Sequence, residues 1–341
     1  MAKPGPRNLI TDVAGLRVGQ SHDEAVRTGV TVLIADEPAT ATIDVRGGAP
    51  GTRETDSLDP VNLVGAIDAI VLSGGSVYGL EAASGVTAWL AARGRGYRLA
   101  ASPHVPPAPI VPAAILFDLA NGGNKMWGDT PPYHALARHA AEQAAQDFAL
   151  GNAGAGYGAQ AGNYKGGTGS ASIVSDDGFT VGALVAVNSV GSPLVPGTGV
   201  FWSFALEQHK EFGGRFFTSA PTADAQLPPD MKGNPQPRMN TTIAIVATDA
   251  ALTRDELKRV AIMAADGLAR AIRPAHTPFD GDVVFALSTA KKQISEPRSR
   301  DMLRIGHFAA DCLSRAIARG VYEAQSLGDA KSYREVFPPS P

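Results

Sequence analysis

Apolar positions along the chain follow two rhythms. Residues 66–73 (AIDAIVLS) form a short continuous apolar run, which reads as a buried strand. It ends at Gly74-Gly75, and residues 79–92 then carry apolar side chains at helical spacing. A second apolar run covers 110–119, and the Ala-rich stretch 131–150 reads as a helix. Residues 171–188 predict a hairpin, because Asp176-Asp177-Gly178 separates two apolar runs and Asp-Gly is a strong turn signal. The β-branched stretch 241–248 (TTIAIVAT) predicts a strand. Thr253, with Glu256 three residues on, is a capping box that opens a helix running to about Ile272. Residues 282–289 read as another strand and 298–324 as a long helix. Strands alternating with helices predict an α/β fold whose layers share a core.

Composition narrows the class. With 341 residues, one large layered domain or two smaller ones are both open, and 44% apolar residues supply a substantial core. The polar stretch 221–239 is rich in proline and fits neither a central strand nor a helix. It reads as a linker or as an exposed loop open to cleavage. A net charge of −3 leaves no basic footprint for nucleic acid. No apolar run approaches the ~20 residues that span a bilayer. No apolar segment follows the first residues as in a signal peptide, so a cytoplasmic location is expected. The single cysteine, Cys312, forms no internal disulfide and no Cys-based metal site, and reads as a small buried hydrophobe. No metal or cofactor is expected. Glycine is in excess, 38 residues against a usual share of roughly 7%, and clusters at 46–51, 73–79 and 151–169.

Several familiar motifs fail. Gly74-Gly75-Ser76-Val77-Tyr78-Gly79 sits between strand and helix, but Leu80 stands where a phosphate loop needs lysine. It reads either as a simple strand-to-helix turn or as a loop that exposes Tyr78 over a site. Ser288-x-x-Lys291 falls at a strand end rather than a helix start. Neither His-Glu-x-x-His nor Gly-x-Ser-x-Gly occurs. The boundary Asn240-Thr241 is different: a pliable polar stretch meets a core strand there. Cleavage before Thr241 would place its hydroxyl beside a free α-amine, whose ordinary pKa of about 7.7–8.0 suits a base near neutrality. On residues alone, a threonine pair is also a common strand start. Asp280-Gly281-Asp282 reads either as a turn or as a carboxylate pair beside that nucleophile. Lys165 lies in the glycine-rich loop 162–169, where a solvated lysine is the plain reading. Asn188 ends a strand, where its amide either closes a turn or faces an oxyanion.

Together these blocks resemble the self-cleaving N-terminal-nucleophile aminopeptidases of the L-aminopeptidase/D-esterase (DmpA) type. That family includes β-peptidyl aminopeptidases and the 6-aminohexanoate-oligomer (nylon oligomer) hydrolase. The resemblance runs from Ile10-Thr11-Asp12-Val13 to about Ala290. It rests on RGGAPGTRETD at 46–56, on 73–80 and 110–114, and on Lys165-Gly166-Gly167, Asn240-Thr241-Thr242-Ile243 and 276–282. It implies a four-layer αββα sandwich formed by residues 1–341, cut between Asn240 and Thr241 into chains 1–240 and 241–341. It implies Thr241 as nucleophile, its α-amine as base, and Tyr78 and Asn188 at the reacting carbonyl or oxyanion. It places Lys165 near the nucleophile, with Asp280 and Asp282 as the supporting acidic pair. A tetramer of two-chain units is implied as well. Threonine after asparagine, with Asp-x-Asp, follows the nylon oligomer hydrolase, whereas 46–56 follows the aminopeptidases, so the chemistry carries over and the substrate does not. Expected substrates are small peptides, amino-acid amides or oligoamides. The alternatives are acyl transfer, as in ornithine acetyltransferase, which shares the fold type, and an uncleaved binding protein.

Overall fold

A computed structural model describes residues 2–98, 100, 102, 104–217, 227–233 and 240–338. The strands in chain order are β1 (Leu16–Asp23), β2 (Thr28–Val45), β3 (Thr52–Arg53), β4 (Ile67–Ser73), β5 (Ala113–Ile115), β6 (Gln160–Ala161), β7 (Tyr164–Lys165), β8 (Thr168–Val174), β9 (Thr180–Asn188), β10 (Thr241–Ala250) and β11 (Val283–Lys292). The helices are α1 (Ala82–Ala91), α2 (Tyr133–Glu142), α3 (Arg254–Ala271), α4 (Arg298–Tyr322) and α5 (Tyr333–Val336). Hydrogen bonds link the main strands in the order β3-β5-β4-β2-β11-β10-β9-β8, with β1 also on β2.

Strand β2 is the hinge of this path. Its first half pairs with β1 and β4, and its second half, from Thr40, pairs with β11. Its register with β4 breaks between Ile34 and Ala39, around the exposed Asp36, Glu37 and Pro38. The path therefore folds into two facing sheets. Period-two alternation gives each sheet two apolar faces. Leu33, Ile70 and Leu72 of one sheet meet Leu184, Ile243, Ile245, Phe285 and Leu287 of the other in a central core. The alternate residues face outward. Val32, Ala69 and Val71 pack with Val86 of α1 and Ala137 of α2. Val185, Ala244, Val246 and Ala286 pack with Leu257 and Ala264 of α3 and Leu313 of α4. The layers are thus helix, sheet, sheet, helix, as expected.

The predicted strands at 66–73, 241–248 and 282–289 are present, as is the hairpin, with Gly178 at φ +89°. Thr253 caps α3 as read, its side chain accepting from the Glu256 N–H. Cys312 is buried in α4, where burial pushes its thiol up to about 12. Three readings change. The helix predicted at 79–92 starts at Ala82, after a 3-10 turn over Ser76–Glu81. The run at 110–119 contributes only Ala113–Ile115 to a strand, because Pro109 and Pro112 interrupt the ladder. The helix predicted over 131–150 stops at Glu142, since Ala145 pairs with Val18 of the edge strand β1, through N–H···O distances of 2.9 and 3.1 Å. Tertiary pairing there overrides alanine's helix propensity. Of the proline-rich stretch, 227–233 runs as turns and coil, and 221–226 and 234–239 lie outside the described residues. No helix among the described residues is long and apolar enough to cross a membrane.

Candidate active site

Topology gathers the site. β9 ends at Asn188, the antiparallel partner of Thr241 at the start of β10. β11 lies parallel to β10 on the other side, so the residues leading into it arrive at the same edge. The pairing extends one step further, as a parallel bridge between Asn240 and Asp280. One end of the sheet thus collects Asn188, Asn240, Thr241, Asp280, Gly281 and Asp282, all of them buried.

Thr241 is 2% exposed and its hydroxyl hydrogen-bonds the carbonyl oxygen of Asn240. The same oxygen accepts the Gly281 N–H at 2.9 Å. Glycine is required at 281: a Cβ there would lie 2.6 Å from the Ala49 carbonyl oxygen and 2.7 Å from Thr241 Oγ1. Gly47 is equally constrained, since its Cβ would sit 2.2 Å from the Asp282 nitrogen. Backbone bonds from Arg46, Gly47 and Ala49 to the carbonyls of Asp282 and Asp280 strap the 46–51 loop to this end of the sheet.

The two aspartates are held by donors. Asp280 Oδ1 accepts from Val190 N at 3.0 Å, and Oδ2 accepts from the Thr277 N–H and hydroxyl at 3.1 and 2.5 Å. Burial, reinforced by the charge of Asp282, pushes the Asp280 pKa up. Asp282 Oδ1 accepts the Thr242 N–H at 2.9 Å, and Oδ2 accepts the backbone N–H and Nδ1 of His276 at 3.0 and 2.9 Å. His276 itself holds a left-handed φ of +56°, uncommon for a residue with a Cβ.

Asn188 donates from Nδ2 to the Phe117 carbonyl at 3.1 Å, and its Oδ1 accepts the Gln160 N–H at 3.0 Å and Lys232 Nζ at 3.2 Å. Lys165 pairs with Gln160 across the β6–β7 hairpin, so it stands one strand away from Asn188. It is buried, with Nζ on the carbonyls of Gly156 and Gly166 at 3.1 and 2.6 Å. Burial lowers its pKa to about 7, against the pull of Asp118. Asp118 is itself pushed up to about 6 by burial, opposed by donors from Thr28 and Gly75. A cavity of about 190 Å³ opens over this group, lined by Phe117, Asp118, Gln160, Asn188, Lys232 and Asn240 among others.

Of the residues named from sequence, Thr241, Asn188, Asp280 and Asp282 meet directly, and Lys165 joins through the hairpin. Tyr78 stands apart. Its ring is 47% exposed and packs edge-on against Trp127 at 5.6 Å, while its turn reaches the cavity through Gly75 N–H to Asp118. Sequence reasoning missed Gly281, His276, Asp118 and Lys232. The first two sit inside the recognised 276–282 block and were available there. Lys232 lies in a proline-rich stretch whose sequence carries no signal of a site.

Comparisons with known proteins converge. The profile of peptidase family S58 matches residues 8–334. An uncharacterized aminopeptidase of Mycobacterium tuberculosis is 42% identical, over 97% of this chain and 98% of its own. A 6-aminohexanoate-oligomer endohydrolase of Kocuria sp. is 32% identical, over 84% of this chain and 76% of its own. Among solved structures, the L-aminopeptidase D-Ala-esterase/amidase of Ochrobactrum anthropi superposes with a TM-score of 0.71. It is 22% identical, with 98% of this chain and 94% of that one covered. A β-aminopeptidase of Burkholderia sp. gives 0.67 at 21% identity, covering 100% and 97%. These superpositions show the fold, a variant of the Ntn-hydrolase type.

Proposed function

The chain belongs to peptidase family S58, and on that premise we propose how it works as an amide-bond hydrolase: Thr241, freed by cleavage after Asn240, is the nucleophile. The observation that carries this is the buried Thr241 hydroxyl lying on the Asn240 carbonyl, whose oxygen also receives the Gly281 N–H. In the precursor, Thr241 Oγ1 attacks the Asn240 carbonyl carbon while its proton passes to the Thr241 nitrogen. Gly281 N–H stabilises the oxyanion as a fixed backbone donor. The C–N bond breaks, the Thr241 nitrogen leaves as an amine, and an ester joins Asn240 to Oγ1. Water hydrolyses the ester and yields chains 1–240 and 241–341.

In the mature enzyme the new α-amine takes the Oγ1 proton as Oγ1 attacks a substrate amide. Asn188 faces the developing oxyanion. The substrate amine departs with a proton, and water activated by the same α-amine releases the acid. Asp282 and Asp280 fix the first turn of backbone around the nucleophile, and buried Lys165 sets the local potential. Tyr78, half-exposed beside Trp127, is assigned to the carbonyl of the bound substrate rather than to Thr241 itself.

Substrates in this reading are small peptides, amino-acid amides or 6-aminohexanoate-type oligoamides, handled by a tetramer of two-chain units in the cytoplasm. Intact mass and a denaturing gel test the premise: two chains are expected, the smaller starting at Thr241, and Thr241→Ala stays whole and inactive. A full-length wild-type chain that still hydrolyses amides overturns the assignment. A panel of L-, D-, β- and ω-amino amides then ranks the substrates.

A further inference from the structure

Lys232 has no part in the mechanism above, yet its ammonium reaches into the same cavity as Asn240 and Asn188. Its backbone N–H is fixed on the Val190 carbonyl at 2.9 Å. Next to it, Asp230 Oδ2 accepts the Ser192 hydroxyl at 2.7 Å, and its carbonyl accepts the Asn163 N–H at 2.9 Å. The segment is therefore anchored to the body of the protein, on the large-chain side of the proposed cut. Lys232 Nζ donates to both Asn188 Oδ1, at 3.2 Å, and the Asn188 carbonyl, at 3.3 Å. An ammonium on Oδ1 does two things to a primary amide. Together with the Gln160 N–H on the same oxygen and the Phe117 carbonyl on Nδ2, it disfavours the flipped rotamer, which would turn the NH₂ group toward the cation. It also draws electron density toward the oxygen, so the Nδ2 hydrogens become better donors.

We propose that Lys232 is a positioning residue for the oxyanion donor: it locks the Asn188 amide and polarises it toward the developing negative charge. This rests on the assignment of Thr241 and Asn188 given above. The location of Lys232 also explains why an otherwise featureless proline-rich stretch carries a lysine into the cavity. Loss of water around the ammonium lowers its pKa to about 7, against the pull of Asp280, in keeping with its place in a walled site.

The test is a double-mutant cycle on mature enzyme with an amino-acid amide substrate. Lys232→Met keeps the aliphatic stem and removes the cation, and Lys232→Arg restores a cation. Removing a whole oxyanion donor costs roughly 10²–10³ in kcat. Lys232→Met should accordingly lower kcat about tenfold or more with KM within about twofold, and Lys232→Arg should recover part of the loss. In an Asn188→Ala background, Lys232→Met should change kcat less than about twofold. Unchanged kcat in Lys232→Met, or losses that multiply in the double variant, overturns the proposal. Undiminished kcat in Asn188→Ala alone instead overturns the oxyanion assignment on which it rests. Thermal melts confirm that each variant is folded.

Discussion

Residues Ile243 to Ala247 of β10 alternate between two apolar cores and are gripped on both sides by strand ladders. Asn240, Thr241 and Thr242, immediately before them, are as deeply buried but polar, and their partners are the residues that lead into β11. The body of the strand is held by non-directional burial, so another apolar side chain of similar volume serves nearly as well. The entry to the strand is held by directional bonds between specific atoms, and most substitutions there leave a donor or acceptor stranded. On the proposed mechanism, stability resides in the first region and reactivity in the second. The strand joins them so that the proposed nucleophile inherits the rigidity of the core.

The largest effect separates the two regions outright. Thr241→Ala should abolish self-cleavage and turnover while circular dichroism reports an intact fold. Phe285→Ala, which empties a wholly buried position beside Ile245, should cost about 3–5 kcal/mol in urea unfolding. The fraction of that variant that folds should still be cut and active. A Thr241→Ala protein that fails to fold, or a folded Phe285→Ala protein that stays whole, breaks the division.

A sharper cut falls at Asp282, which serves both regions. Its carboxylate accepts N–H groups from Thr242 and His276. Asp282→Asn sets an NH₂ donor against one of those donors. The expected cost is about 1–3 kcal/mol, the usual penalty for a buried polar group left unpaired. Self-cleavage should also slow by about 10–100-fold, read from a time course of the two bands. His276→Asn keeps a donor near the Nδ1 position and tolerates the left-handed backbone, so it should fall well short of that loss. Equal losses in both variants would show that the histidine ring, not its donor, matters.

The same division governs what the sequence discloses. Apolar runs, a turn signal, β-branched content, helical spacing and the capping box announced β4, β9, β10, β11, α3 and α4, because apolar burial recurs along the chain. The break of β2 at residues 36–38 leaves no such rhythm, and with it went the reason why one strand path makes two layers. At the site, residue types offered Thr241, Asn188, Asp280 and Asp282 as candidates beside plainer readings, and the family resemblance assigned their roles. The backbone donor of Gly281 carries no side-chain signature. Lys232 comes from a stretch whose composition reads as solvent-exposed, and only the close approach of 227–233 to Val190 reveals its target. Tyr78 was named from a reactive residue type on a turn, and its half-exposed ring packs edge-on against Trp127 beside the site.

Lys165 offers a smaller effect of opposite sign. Burial lowers its pKa in the folded chain to about 7, whereas an unfolded lysine titrates near 10.4. Between those values the unfolded chain holds a proton that the folded chain lacks, so this group's contribution to stability rises with pH. Below about pH 7 both states are charged and the full penalty of the buried ammonium is present. Lys165→Met should therefore be more stable than wild type by about 1–2 kcal/mol at pH 6, with the gap closing toward pH 10. Turnover should fall in the same variant. A gap that is flat across this range, in urea melts at several pH values, would show that the ammonium stays solvated.

The smallest effect tests the far end of β10. The strand leaves the sheet at Ala250 and reaches the α3 cap three residues later. There Thr253 N–H donates to Glu256 Oε2 at 2.8 Å, and Glu256 in turn binds Arg298 at the start of α4 with bonds of 2.6 Å. Thr253→Ala removes the side-chain half of this box but keeps the backbone bond to Glu256 and the link to Arg298. The loss should be about 1 kcal/mol, typical of an N-cap threonine. Thr241 is the first residue of this ten-residue, fully buried strand, and the cap lies beyond its other end. If reactivity is confined to the entry of β10, kcat and KM of the cut enzyme stay at wild-type values while the urea midpoint drops. A fall in kcat beyond the unfolded fraction would mean that strain travels the length of the strand. The nucleophile would then depend on the outer helices as well as on its own hydrogen bonds.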